Sequence, residues 1–177
     1  MKSTLITFIL LFVIFRAHSG EIPQKVIDNA NGQRFFTSEM LNKDVTQENI
    51  HDTICRKRYS KTIRPPTYYT NKIKLTFLQN AGIPSGDAEL YELDHIVPLV
   101  LGGHPRVLAN LMLQPYQGTL GAKQKDRLEL KLLDMVCKHE INLDSAQREI
   151  GTDWVSAYGK YVSPNIKHIS KAKLNRQ

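Results

Sequence analysis

The chain has 177 residues, of which 41% are hydrophobic, and its 24 basic and 17 acidic side chains give a formal net charge of +7. This length suits one compact domain with a hydrophobic core and excludes two ordinary domains. No internal repeat or low-complexity tract interrupts it.

The first 19 residues have the pattern of a Sec-type signal peptide. Lys2 supplies the positive start, an apolar stretch covers Leu5–Phe15, and Ala17–Ser19 is a small-x-small cleavage site. Arg16 ends the apolar stretch short of the roughly 18 residues that a membrane-spanning helix needs. An uncleaved anchor is the alternative. We expect residues 1–19 to be removed and the mature chain to be secreted or periplasmic, without a membrane span.

Charge alone points to a class of partner. Loss of Lys2 and Arg16 with the signal peptide leaves 22 basic and 17 acidic residues, a net charge of +5. An exported basic domain suits a polyanion such as nucleic acid, because its cations neutralise phosphates and release counterions. A role in solubility alone would give the same charge.

Two cysteines, Cys55 and Cys137, are present in a chain that we expect to reach an oxidising compartment. Pairing is the simplest interpretation, and closing a loop of some eighty residues would stabilise the fold by roughly 4 kcal/mol. Neither cysteine has the Cys-His arrangement of a catalytic thiol or the C-x-x-C spacing of a zinc site.

A basic and aromatic stretch follows Cys55. Residues 56–69 contain five cations and three tyrosines and close on Pro65-Pro66, a pattern for which we expect an extended or looped segment. Cations and aromatics together fit a groove that neutralises phosphates and stacks bases, with Arg64 as a substrate-binding candidate. The alternative is a solvated basic loop whose tyrosines pack on the core.

Helical periodicity and caps predict most of the scaffold. A short helix or loop is expected over residues 46–53, and a helix over residues 71–81 with Thr70 as its cap and Gly82 as its stop. After Ala122 the apolar positions return to a helical period, with Leu128, Leu132, Met135 and Val136 on one face up to Cys137. Asp144 and Gln147 form a capping box for a last helix, whose core positions are Ala146, Ile150, Trp154 and Tyr158.

Chemistry is concentrated between these helices. Residues 90–101 form an apolar run typical of a buried strand, Gly102-Gly103 turns the chain, and residues 107–113 predict a second short strand or loop. Glu92 and Asp94 are two positions apart, so they share one face of an extended segment while His95 points to the other face. One face could hold a hard cation through carboxylate oxygens, and the other could present a base.

The run Asp94-His95-Ile-Val-Pro-Leu-x-x-Gly-Gly, followed by Asn110-Leu and by Lys125-Asp-x-Leu-Glu, resembles a subgroup of secreted bacterial HNH endonucleases, also called His-Me finger or ββα-metal nucleases. The likeness extends less sharply from about Thr53 to Val162. One departure stands out, because Thr119 occupies the position nine residues after Asn110 where many members carry a last histidine.

The resemblance implies a role for each site residue. His95 would be the general base that activates water, and Asn110 would brace the imidazole or its loop. Asp94 and Glu92 would hold one divalent metal ion, with Mg²⁺ expected and Mn²⁺ or another divalent ion as alternatives. The remaining ligand would come from the helix after Gly121, where Asp126 is our choice and Gln124 the runner-up; a salt bridge or a helix cap would explain Glu92, Asp126 and Gln124 equally well.

The cations at the start of that helix are assigned to substrate. Lys125 is favoured as a phosphate contact because it belongs to the resembling pattern, with Lys123 and Arg127 beside it and Arg64 upstream.

We therefore predict a mainly helical α+β domain over residues 20–162, with a ββα-metal core at about 88–138 and a basic, flexible tail at 163–177. The predicted function is metal-dependent hydrolysis of phosphodiester bonds in DNA, with RNA as a second substrate class. The alternative is an exported nucleic-acid-binding protein that uses a structural ββα finger and performs no catalysis. The sequence does not identify an inhibitor protein as a partner.

Overall fold

A computed structural model describes residues 36–118 and 121–163 of the chain. The predicted signal peptide, Thr119 and, apart from Ser163, the predicted tail lie outside these residues.

The described residues combine helices with one small sheet. The α-helices are α1 (Tyr59–Ile63), α2 (Thr67–Asn80), α3 (Ala122–Cys137) and α4 (Leu143–Tyr161), and the strands are β1 (Tyr91–His95) and β2 (Leu111–Pro115). Short 3₁₀ helices cover Ser38–Met40, Gln47–Asn49, Ser85–Leu90, Leu99–Leu101 and Leu108–Asn110. This mixture confirms the α+β class, and the order β1, β2, α3 follows the sequence prediction.

The two strands pair in antiparallel fashion, with Tyr91 opposite Pro115 and His95 opposite Leu111. The prediction of a strand as far as Leu101 was wrong, because β1 ends at His95 and Leu99–Leu101 is a 3₁₀ helix. Pro98 has no N–H to donate to a sheet, so the apolar residues around it are buried without belonging to a strand. A long loop, residues 96–110, therefore connects two five-residue strands.

The basic and aromatic stretch is more helical than its composition predicted. Residues 59–63 form α1, and α2 begins at Thr67 instead of Asn71, with Pro66 as its N-cap residue. A proline disfavours the helical conformation of the residue before it and cannot donate the hydrogen bond needed inside a helix. A helix can still begin directly after it. Arg64 is accordingly extended, with ψ 129°, and the helices lie on either side of the Pro-Pro pair.

The main core lies between α3 and α4. Leu128, Leu132 and Val136 of α3 have no exposed surface and pack with the α4 side chains that were predicted to be core, Ala146, Ile150, Trp154 and Tyr158. The start of α4 differs from the prediction, because Asn142, whose side chain accepts from the Ser145 N–H, caps the helix in place of Asp144.

A disulfide joins Cys55 to Cys137, which confirms the predicted bridge. It links the segment before α1 to the last residue of α3 across a sequence separation of 82 residues. None of the helices described here is long and apolar enough to cross a lipid bilayer.

Candidate functional site

His95 is the last residue of β1, and its side chain is only 7% exposed. Its Nε2 lies 3.2 Å from the main-chain oxygen of Pro105, in the loop that connects the strands. A carbonyl oxygen can only accept a hydrogen bond, so Nε2 carries the proton and the neutral ring keeps its lone pair on Nδ1. Among the described residues, no group hydrogen bonds to Nδ1. The loop therefore sets the tautomer that leaves one nitrogen able to take a proton.

Burial lowers the pKa of His95, and the nearby Lys125 and Arg64 cations act in the same direction. The Pro105 hydrogen bond and the Asp94 carboxylate oppose this shift without cancelling it. The imidazole is consequently neutral at neutral pH, which is the form a general base requires.

Asn110 holds the loop in which Pro105 lies. Its side chain is fully buried, its Oδ1 accepts from the Val97 N–H at 2.8 Å, and its Nδ2 donates to the carbonyl oxygens of Val97 and His104 at 3.0 Å each. Of the two roles foreseen for this asparagine, these contacts correspond to fixing the loop. The tautomer of His95 is set by Pro105.

Lys125 lies beneath the site with no exposed side-chain surface. Its Nζ donates to Asp94 Oδ2 at 2.9 Å, to Glu129 Oε1 at 2.6 Å and to the main-chain oxygen of His95 at 2.7 Å. Burial alone would lower the pKa of this lysine, but the Asp94 and Glu129 carboxylates outweigh it and raise the pKa. The ammonium group is charged, and its three N–H bonds are all used.

These contacts correct the substrate role predicted for Lys125. A buried ammonium with three internal acceptors has no N–H left to bind a phosphate. The lysine instead connects α3 to the end of β1, because it holds both the Asp94 side chain and the His95 main chain.

The acidic side chains of β1 and α3 influence one another. Burial raises the pKa of Glu92, and the Asp94 and Asp126 carboxylates raise it further, whereas Lys125 and Arg64 lower it. Burial and Asp94 likewise raise the pKa of Asp126. Burial also raises the pKa of Glu129 above its ordinary range, although its contact with Lys125 acts in the opposite direction. Because these carboxylates repel one another when charged, a cation placed among them would stabilise their charged forms.

A divalent metal fits this region by the chemistry of its donors, since Glu92, Asp94 and Asp126 offer only hard carboxylate oxygens. The positions of these side chains fit a metal ion less well than their chemistry does. Within residues 36–118 and 121–163, no three histidine, cysteine or acidic side chains converge on a point that could hold a metal ion. Asp94 also has both carboxylate oxygens in hydrogen bonds, Oδ1 with the His95 N–H at 2.8 Å and Oδ2 with Lys125.

The other predicted site residues on α3 are of two kinds: two are exposed, and one is hydrogen bonded to another helix. Lys123 and Arg127 are exposed, with Lys123 Nζ 5.0 Å from the centre of the Tyr116 ring and the Arg127 guanidinium 5.8 Å from that of Tyr158. Gln124, the runner-up metal ligand, accepts from the Tyr158 hydroxyl at 2.8 Å. It is therefore engaged by α4.

Arg64 is brought to the site from 31 positions before His95. Its side chain is exposed, and its charge lowers the pKa of His95, Glu92 and Asp126. Arg64 therefore supplies an accessible cation beside the carboxylates and the histidine.

Three contributors were missed at the sequence level. Glu129 is the fifth residue of the Lys-Asp-x-Leu-Glu run and lies one helical turn after Lys125, a spacing that predicts an ion pair. Pro105 acts through its main-chain oxygen, which a sequence pattern does not show. Arg106 lies next to Pro105, with its guanidinium 4.9 Å from the centre of the Tyr69 ring, and brings a further cation and aromatic to this loop.

A shallow cleft lies against the same loop, away from the carboxylates. Two residues of the loop, His104 and Val107, line it together with Ser38, Glu39, Leu41, Asn42 and Lys43. His104 Nδ1 accepts from the Arg106 and Val107 N–H groups at 3.1 Å each, so its imidazole helps to shape the loop.

Comparisons with models of protein families, with curated proteins and with solved structures found no match for this chain.

Proposed function

We propose that this protein is an exported, metal-dependent endonuclease of the HNH type that hydrolyses phosphodiester bonds of DNA, with His95 as its general base. The observation that carries the proposal is the hydrogen bond from His95 Nε2 to the Pro105 oxygen, which leaves the lone pair on Nδ1. The reaction class comes from the resemblance in sequence, and the basic charge of the chain agrees with a polyanionic substrate.

In this proposal, Nδ1 of His95 takes a proton from water as the water oxygen attacks phosphorus, and the bond from phosphorus to the leaving oxygen breaks. The resulting imidazolium keeps its Nε2–H bond to Pro105, so the ring does not have to turn during the reaction. Asn110 holds the loop that carries this carbonyl. Lys125 holds the end of β1 through Asp94 and the His95 oxygen.

Asp94, Glu92 and Asp126 are the residues that would hold the divalent metal ion, for which Mg²⁺ is the expected species. When bound, such an ion neutralises charge on the phosphate and on the leaving oxygen. Arg64 and Arg106 are the exposed cations best placed to contact substrate phosphates, with Lys123 and Arg127 further along α3.

One observation favours the alternative, a nucleic-acid-binding protein without catalysis. Lys125 already neutralises two of the carboxylates near His95, Asp94 and Glu129. A protein in which this ion cluster only stabilises the fold would bind DNA and leave it intact.

The deciding experiment incubates the mature protein with supercoiled plasmid in Mg²⁺ and, separately, in EDTA. We expect nicked and linear DNA only in Mg²⁺, and a loss of about 10²- to 10⁴-fold in rate for His95→Gln. Plasmid binding in EDTA and thermal unfolding serve as controls for the fold of the variant. Retarded but intact plasmid in both conditions would favour the binding protein, and a variant within about threefold of the wild-type rate would remove His95 from the role of base.

A metal titration tests the carboxylates. Asp126→Asn should raise the Mg²⁺ concentration needed for half-maximal cleavage, because a hard cation held by few protein ligands depends on each of them. Asp134→Asn is the matched control on the same helix, since Asp134 is 49% exposed and pairs with Lys138. Equal Mg²⁺ demand in both variants would exclude Asp126 as a ligand.

A further inference from the structure

Two exposed histidines meet on the surface near the disulfide. Nε2 of His51 lies 3.0 Å from Nε2 of His139, and the ring centres are 5.2 Å apart with the planes tilted by 58°. The two residues are 88 positions apart in sequence, so the fold brings them together. They take no part in the proposed nuclease site.

The backbone holds this pair in place. His51 lies four positions before Cys55 and His139 two positions after Cys137, so the disulfide joins the segments that carry the two rings. His139 follows α3 with a φ of 58°, a left-handed conformation in which glycine or asparagine is more usual. Histidine adopts this conformation more readily than most side chains, so the ring can be held at the end of α3 without a glycine.

We propose that His51 and His139 form a binding site for a transition-metal ion that prefers nitrogen ligands, with Zn²⁺ as the representative species. A tetrahedral ion with metal–nitrogen bonds of about 2.0–2.1 Å holds two imidazole nitrogens about 3.3 Å apart. The observed separation of 3.0 Å needs an increase of only a few tenths of an ångström, which rotation of two exposed side chains supplies.

The proton balance also fits. A pair of neutral rings can make this contact, because one Nε2 donates its proton and the other accepts it. When an ion binds, both Nε2 atoms give it their lone pairs, and the proton of the donor ring moves to its own Nδ1 through solvent. No proton is released overall. Among the described residues no third histidine, cysteine or acidic side chain completes the site, so water fills the other positions.

The test is a titration of the mature protein with Zn²⁺ by calorimetry. Excess Mg²⁺ is present throughout, so that Mg²⁺ competes with Zn²⁺ for the carboxylates near His95. We expect one Zn²⁺ to bind per chain. His51→Gln and His139→Asn should each weaken binding at least about tenfold, since loss of even an outer partner of a metal ligand costs about 10- to 100-fold. Asparagine tolerates the left-handed backbone at position 139, so this variant removes the ring without straining the chain.

His168→Gln, which removes a histidine of the C-terminal segment, is the control and should bind Zn²⁺ as the wild type does. Two outcomes would overturn the proposal: no Zn²⁺ binding by the wild type, or equal affinity in the wild type and in both pair variants. Because the readout is Zn²⁺ binding and not DNA cleavage, the result is independent of whether the protein is a nuclease.

Discussion

At the scale of single residues, the buried lysine changes the interpretation of the acidic motif. The sequence places Lys125 next to Asp126 in a basic run, and that pattern predicted a phosphate contact. The chain fold instead brings Asp94 and the His95 carbonyl to the lysine from 31 and 30 positions away. The i,i+4 spacing of Lys125 and Glu129 could have indicated their ion pair, which we did not predict, but no sequence spacing reveals contacts across 30 positions.

Replacement of this lysine tests its structural role. Lys125→Ala would leave Asp94 and Glu129 as unpaired, largely buried carboxylates, for which we expect a loss of about 3–5 kcal/mol in the free energy of unfolding. Lys123→Ala, two positions away on an exposed part of the helix, should change it by less than about 0.5 kcal/mol. Urea unfolding of both variants supplies the measurement. Similar stabilities would mean that the ion cluster is not formed in solution.

Residue types are visible in the sequence, whereas contacts between distant residues are not. Strand alternation is a local property, so the sequence could predict that His95 and the acidic side chains lie on different faces of β1. It could not show that the Pro105 oxygen selects the histidine tautomer, since any residue offers a carbonyl. The contribution of Pro105 depends on the path of the loop, which the order of side chains in the sequence does not indicate.

At the scale of elements, the loop between the strands is packed unusually closely at Gly103. A Cβ atom added there would collide with the main-chain carbonyl of Val97 and lie 2.9 Å from Asn110 Nδ2. The loop can therefore close over the end of β1 only with a hydrogen atom at this position. The same contact region contains the hydrogen bonds by which Asn110 holds the loop.

A pair of glycine variants isolates this effect. Gly103→Ala should destabilise the fold by about 3 kcal/mol or more, because the neighbours are backbone and a buried amide that cannot move aside cheaply. Gly86→Ala should be neutral or slightly stabilising, since no atom lies within 4 Å of the added methyl group and alanine restricts the unfolded chain. Thermal unfolding distinguishes the two, and a neutral Gly103→Ala would contradict the close packing of this loop.

The helices with strong apolar periodicity, α3 and α4, were predicted to within two residues at their starts. In the basic stretch, α1 and the first turn of α2 were missed, because cations, tyrosines and prolines together resemble a loop composition. The Pro65-Pro66 pair restricts the backbone of only a few residues around Arg64, so the residues on either side remain able to form helices. Where those helices begin and end depends on packing, which composition does not show.

At the scale of the whole molecule, the described residues place several exposed cations beside an acidic centre. Arg64 and Arg106 lie near His95, and Lys123 and Arg127 extend this surface along α3. Binding of DNA to such a surface should weaken steeply as salt rises, because each phosphate contact releases counterions.

The contribution to DNA binding that we propose for Arg64 can be measured without cleavage. In EDTA, Arg64→Ala should weaken binding to every DNA sequence and reduce the slope of log affinity against log salt by about one. Arg148→Ala removes the same charge from α4, where the guanidinium pairs with Asp144 at 2.8 Å, and should leave the slope unchanged. Equal slopes for the two variants would exclude Arg64 from the binding surface.

The bridge between Cys55 and Cys137 has a further consequence if the chain is exported, as proposed, and meets proteases outside the cell. Every residue assigned to the nuclease site, from Arg64 to Glu129, lies between the two bridged cysteines. A single cut in an exposed part of this segment, such as the 3₁₀ helix Ser85–Leu90 around Gly86, produces two fragments that remain covalently attached to each other. They would migrate as one band on a gel until reductant is added, and both halves of the site would stay on the same particle after the nick.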